Sequence, residues 1–163
     1  MNNPNPCILK VSKNKHEKPL NLETFCMDAL MEELLIYVKN ELKIKEKSNI
    51  DVEIFKLTNY EKCLVHTDRV KLRQIFTNLL DIAVKFTDTG FIIFGYHTSV
   101  SNNMNLFVED TGIGIYSDDG YGLTIAQGLV EQLGGEMEVE CVENAGMSVD
   151  FNIICQPCEI FEN

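Results

Sequence analysis

The stretch from Asp68 to Gly90, DRVKLRQIFTNLLDIAVKFTDTG, decides how the rest of the chain reads. Apolar residues fall at Val70, Leu72, Ile75, Phe76, Leu79, Ala83 and Phe86, the three-and-four spacing that gives a helix one buried face. Asp68 is placed to cap it, because a short carboxylate before a helix accepts hydrogen bonds from the unpaired first-turn N–H groups. Thr87-Asp88-Thr89-Gly90 stops it. On another face, Gln74, Asn78 and Lys85 line up in a polar stripe. Facing water, such a stripe is an ordinary solvated helix surface; facing the protein, with its single lysine, it suits an anionic ligand.

Two later stretches bear on that choice. Asp110-Thr111-Gly112-Ile113-Gly114 reads D-x-G-x-G at a strand end, and Gly120-Tyr121-Gly122-Leu123 opens another helix. A carboxylate at a strand end can accept a hydrogen bond from the exocyclic amine of adenine. The plainer role for Asp before Thr-Gly is to form a turn. Gly112 and Gly114 allow the backbone to pass close to a flat base and to adopt positive φ. Gly120 and Gly122 stand where a loop becomes a helix, so backbone N–H groups can approach phosphate oxygens there, and the helix start adds about half a positive charge. Lys85 would supply a mobile cation for the same phosphates.

With these two motifs, N-L-L-D-I-A-V-K-F-T from Asn78 to Thr87 resembles the N, G1 and G2 boxes of the GHKL ATPase family, in the family's order. This is the nucleotide-binding fold of sensor histidine kinases, DNA gyrase B subunits, MutL and heat-shock chaperones of the ninety-kilodalton class. The run RQIFTNLL and the ending KFTDTG are most similar to sensor histidine kinases, and the resemblance covers about Leu20 to Ile154. It implies an ATP or ADP site made by Asn78, Lys85, Asp110, Gly112, Gly114, Gly120, Gly122 and Leu123, with Gly114 as a lid hinge. Implied partners are a dimerisation domain bearing a phospho-acceptor histidine, or a response regulator.

Two departures from the family pattern weaken the implied chemistry. The family places a magnesium-coordinating Asn where this chain has Ile82. Magnesium demands oxygen ligands in near-ideal geometry, and a branched alkane offers none. Asp81 is adjacent but lies about 100° around the helix. Since even an outer-sphere change at a metal site costs about 10–100-fold, the expectation is weak nucleotide binding with little help from magnesium, and no metal ligand is assigned. Secondly, only Ile115 to Asp119 separate Gly114 from Gly120, where the family keeps a longer lid. Asp118 and Asp119 put negative charge where phosphates would lie. Asn78 is the only residue considered for a catalytic role.

Three functions compete: the ATP-binding catalytic domain of a sensor histidine kinase-like protein in two-component signalling, a catalytically inactive pseudo-kinase or adaptor acting by protein contact, and an anti-sigma-type protein serine kinase. The last would still need the magnesium ligand. His16-Glu17-Lys18-Pro19-Leu20 is only partly similar to the acceptor-histidine box of sensor kinases and stands directly before the domain, so chance similarity is the better reading.

The chain has 163 residues, with room for one domain. A net charge of −11, with Arg69 and Arg73 the only arginines, argues against nucleic acid as a partner. No apolar run approaches the roughly 20 residues of a membrane span, and the N-terminus lacks a signal-peptide core, so the expected compartment is the cytoplasm. Six cysteines need no bridges there. The C-x-x-C pair Cys155 and Cys158 has no second pair for a zinc site. The lysines from Lys39 to Lys47 read as a solvated end.

Residues 1–19 read as a tail or linker, 20–156 as the nucleotide-binding domain and 157–163 as a tail. Within the domain, spacing predicts helices over 22–42 and 121–133, with Gly134-Gly135 ending the second. Strands are predicted at 51–57, 63–66, 91–99, 105–109, 136–140 and 148–154. The expected fold is α+β, a two-layer sandwich of a mixed, mostly antiparallel sheet with three main helices on one face.

Overall fold

The computed structural model describes residues 19–99, 102–114, 121–155 and 157. His16, residues 115–119, for which the sequence suggests a short lid, Gly120 and Cys158 lie outside them. In chain order the elements are β1 Glu23–Cys26, α1 Met27–Ile44, β2 Ile50–Leu57, β3 Leu64–Thr67, α2 Arg69–Phe86, β4 Gly90–Thr98, β5 Asn103–Asp110, α3 Tyr121–Gln132, β6 Met137–Val142 and β7 Gly146–Ile154. Five strands form one sheet in the order β2-β4-β5-β7-β6, and β1 pairs with β3 in a separate ribbon. Only β2–β4 is parallel; β4–β5, β5–β7 and β6–β7 are antiparallel. The fold is the expected α+β sandwich.

Helix α2 occupies the predicted span, and its ends show why. The Asp68 side chain accepts from Lys71 N at 3.0 Å, satisfying one of the first-turn donors. Its apolar face, Leu72, Ile75, Phe76, Leu79 and Ala83, is fully buried. Phe76 meets Phe94 of β4 and Phe151 of β7 edge-on, at centroid distances of 6.2 and 5.4 Å. Ile92, Phe94 and Tyr96 on β4 alternate toward the helices, as do Met104, Leu106 and Val108 on β5 and Val149, Phe151 and Ile153 on β7. Phe55, which breaks the alternation of β2 in the sequence, points to the other side of the sheet and contacts Phe107 there, centroids 6.0 Å apart.

One boundary differs from the sequence reading. The helical pattern begins at Leu22, yet Glu23–Cys26 is a strand, paired antiparallel from Glu23↔Thr67 to Cys26↔Leu64. Met27 N then donates to Cys63 O at 2.9 Å. Four residues with a pairing partner some forty positions downstream satisfy their backbone groups better in the ribbon than as an uncapped first turn. Cys63 is fully buried and its thiol is pushed up to about 12, chiefly by burial. Cys26, Cys63, Cys141 and Cys155 are unbridged thiols. Among the described residues no helix is long and apolar enough to cross a membrane.

Candidate functional site

The proposed site residues gather at the C-terminal half of α2, in two groups. The first surrounds Asp110, the last residue of β5, which is only 4% exposed. Its Oδ1 accepts from Gly112 N at 2.9 Å. Burial raises its pKa above the ordinary carboxylate value, while backbone N–H groups of Gly112 and Met147 pull the other way. An ionised carboxylate has about four acceptor positions, so two backbone donors leave capacity for a ligand amine. The hydroxyl of Thr87 lies close enough to favour the charged form of Asp110, but makes no regular hydrogen bond. That hydroxyl is fully buried and faces the Asp110 carboxylate with capacity for a further hydrogen bond.

The glycine loop after Asp110 is fastened on both sides. Ile113 N donates to Phe86 O, and Asn144 N to Ile113 O, both at 3.0 Å. A β-carbon at Gly112 would lie 2.3 Å from Phe86 O and 2.8 Å from Thr87 Oγ1. Glycine at 112 is thus what lets the loop rest on the end of α2. Gly114 has φ +87°, a left-handed conformation in which other residues are strained.

The second group lines a cavity of about 380 Å³ bounded by α1, α2 and the start of α3, with Asn78, Ile82, Lys85 and Gly122 in its wall. Asp110, Gly112, Gly114 and Leu123 do not line it. Leu123 is 2% exposed and its side chain belongs to the hydrophobic core. Gln74, the third member of the polar stripe, is exposed and outside the cavity. Phe86 and Thr87 join the two groups, because Phe86 lines the cavity and also carries the carbonyl against which Gly112 rests.

Among the described residues, two buried side-chain polar atoms lack a hydrogen-bond partner, Asn78 Nδ2 and Thr87 Oγ1. One stands in each group. The arrangement puts Asp110 and Thr87 on one side of Phe86, and Lys85 and Asn78 on the cavity side. It does not fit magnesium at the expected position. Ile82 is 7% exposed and packs against Gly122, whose β-carbon, if present, would lie 3.1 Å from Ile82 Cδ1. Asp81 is exposed and its Oδ1 accepts from the Tyr37 hydroxyl at 2.6 Å, on the α1 side. No cluster of three or more His, Cys, Asp or Glu placed for a metal occurs among the described residues.

Lys47 is the residue the sequence reading assigned to a solvated end. Its Nζ instead donates to Val84 O at 2.7 Å, Thr87 O at 2.9 Å and Lys85 O at 3.2 Å, and pairs with Asp88. It therefore caps the C-terminus of α2 and holds the Phe86–Thr87 junction. A lysine forty residues before a helix end gives no local signal of this.

A family model described as histidine kinase-, DNA gyrase B-, and HSP90-like ATPase matches residues 67–156. The chain belongs to this family. The autoinducer 2 sensor kinase/phosphatase LuxQ of Vibrio vulnificus is 36% identical over 105 residues, 48% of this chain and 12% of LuxQ. The hybrid signal transduction protein dokA of Dictyostelium discoideum is 27% identical over 167 residues, 85% of this chain and 10% of dokA. The chain thus spans a small part of these relatives. Among solved structures, the nucleotide-free catalytic domain of histidine kinase ThkA superposes with a TM-score of 0.68 at 22% identity, covering 82% of this chain and 97% of that one. Full-length ShkA in complex with AMPPNP gives 0.70 at 23% identity, covering 87% and 33%. These likenesses agree with the ATPase fold.

Proposed function

We propose that residues 20–156 form the nucleotide-binding domain of a sensor histidine kinase-like protein, in which adenine recognition is kept and magnesium-dependent phosphoryl transfer is impaired. One observation carries this reading. The buried Asp110 carboxylate has the Thr87 hydroxyl beside it, Phe86 stands between them and a cavity, and the wall of that cavity includes an apolar side chain, Ile82, where the family resemblance implies a cation ligand; this supports a purine seat at Asp110. Asn78, Lys85 and Gly122, with Gly120 beyond the described residues, serve the phosphates; Gly112 and Gly114 shape the seat. The lid is short because five residues join Gly114 to Gly120. Phosphoryl transfer would need an acceptor-histidine domain or response regulator as partner, and a module that binds nucleotide without turnover would signal through such contacts alone.

Titration calorimetry with ADP, in the presence and absence of magnesium, tests this. Binding should be detectable and should change by less than about tenfold with the metal, the lower limit for perturbing a true metal site. A larger enhancement by magnesium overturns the reading of Ile82, and no binding of any adenine compound overturns the purine seat.

A further inference from the structure

The charges of the cavity are ordered along its length. Helices α1 and α2 lie side by side in the same sense: Glu33 meets Arg69 and Arg73 near their starts, Tyr37 meets Asp81, and Lys47, just past α1, meets Val84 and Thr87. Tyr37, Glu41 and Lys45 follow at four-residue intervals on one face of α1, and Asn78, Asp81, Ile82 and Lys85 share a face of α2. The Tyr37–Asp81 contact therefore marks one end. Lys45 and Lys85 lie at the other, beside Phe86.

That second end is the one nearest the purine seat, since Gly112 rests on Phe86 O and Thr87. A phosphate attached to a nucleoside at Asp110 reaches the two ammonium groups first. Any further phosphate runs toward Ile82, which offers no donor, and toward the carboxylates of Asp81 and Glu41. Elsewhere in the family a cation is expected to offset such charge; here the residue at its position is an alkane closed against Gly122. Added phosphates meet that repulsion with only the neutral amide of Asn78 to offset it.

We infer that the site takes a metal-free adenine mononucleotide, its single phosphate held between Lys45 and Lys85, and disfavours a second and third phosphate. This names the ligand class of the site proposed above and rests on that reading.

The test is titration of the full chain in EDTA with adenosine, AMP, ADP and ATP, repeated with magnesium. AMP should bind about tenfold more tightly than adenosine, the scale of one hydrogen bond to a charged group. ADP and ATP should bind no more tightly than AMP, with or without the metal. Lys45→Met, at an exposed position, should reduce the ratio of AMP to adenosine affinity by about the same factor, with thermal unfolding reporting that the variant is folded. Affinity that climbs from AMP to ATP, or an AMP advantage that survives Lys45→Met, overturns the assignment. If adenosine binds and AMP binds no better, the phosphate assignment alone falls. If neither binds, the purine seat falls with it.

Discussion

Gly122 sits directly against Ile82, so closely that a β-carbon at position 122 would come within 3.1 Å of the isoleucine Cδ1. The contact seals α3 onto α2 at the position we propose for the missing cation ligand. Ile82→Asn should restore a magnesium-dependent gain in ADP affinity of at least about tenfold. It should also lower stability by about 1–3 kcal/mol, because an apolar contact is exchanged for a buried amide without a partner. Calorimetry and urea unfolding measure the two effects separately. If affinity is unchanged while stability falls, the limit lies in the connection between Gly114 and Tyr121 and not at position 82.

Asp110→Asn should abolish the preference for adenosine over guanosine in competition binding. It also has a pH signature. Burial raises the folded pKa of Asp110 above its ordinary 3.8, so ionisation opposes folding. The group's contribution to stability is full below the unfolded value and is lost as pH rises through the higher folded one. The melting temperature of the parent protein relative to Asp110→Asn should therefore be greatest below pH 3.8 and decline toward neutrality. A pH-independent difference would mean that the carboxyl is not desolvated as the fold implies.

What could be read in the sequence was whatever is decided locally. Helix α2 carries its own stop and start, since Asp68 bonds the N–H of Lys71 three residues on, and its apolar spacing names the core residues. The antiparallel order of β4 and β5 follows from a short polar connection. Contacts closed over distance left no trace. Glu23–Cys26 reads as helix because its strand partner, Leu64–Thr67, lies about forty residues away, and Lys47 reads as surface because the carbonyls it caps are 37 to 40 positions downstream. In the site, Asp110 was visible as a motif, whereas the orphan hydroxyl of Thr87 and the core position of Leu123 required the fold. The hydrogen bond from Tyr37 to Asp81, 44 positions apart, belongs to the same class of long-range contacts.

Glu33 joins α1 to α2 by accepting from both Arg69 and Arg73. Those two guanidinium groups lower its pKa below 4.5. Its stabilising effect is then present above the unfolded value and disappears as pH falls through the folded one. Since its side chain is 39% exposed, Glu33→Gln should cost no more than about 1 kcal/mol at neutral pH. The difference should shrink in high salt and vanish at a pH below the folded value of Glu33. Denaturant midpoints taken at low and high salt check it; a cost that is independent of both salt and pH would assign Glu33 a packing role.

Lys47 offers the most direct test of how the fold holds the site. Its side chain is 18% exposed, and its ammonium group gathers three carbonyls that α2 cannot bond internally. A cation at a partly buried helix C-terminus is worth up to about 2 kcal/mol. Lys47→Met, which keeps the stem and removes the charge, should lower stability by about that amount, read as a shift in urea midpoint with an unchanged slope. The same carbonyl-bearing turn carries Thr87 and supports Gly112 through Phe86, so adenosine affinity should fall as well. Lys47→Arg separates the causes: it keeps the charge near the helix end but cannot place a single point donor among three oxygens. It should recover most of the stability and less of the affinity. If both substitutions lower stability and leave adenosine binding intact, the α2 terminus is not what positions the purine seat.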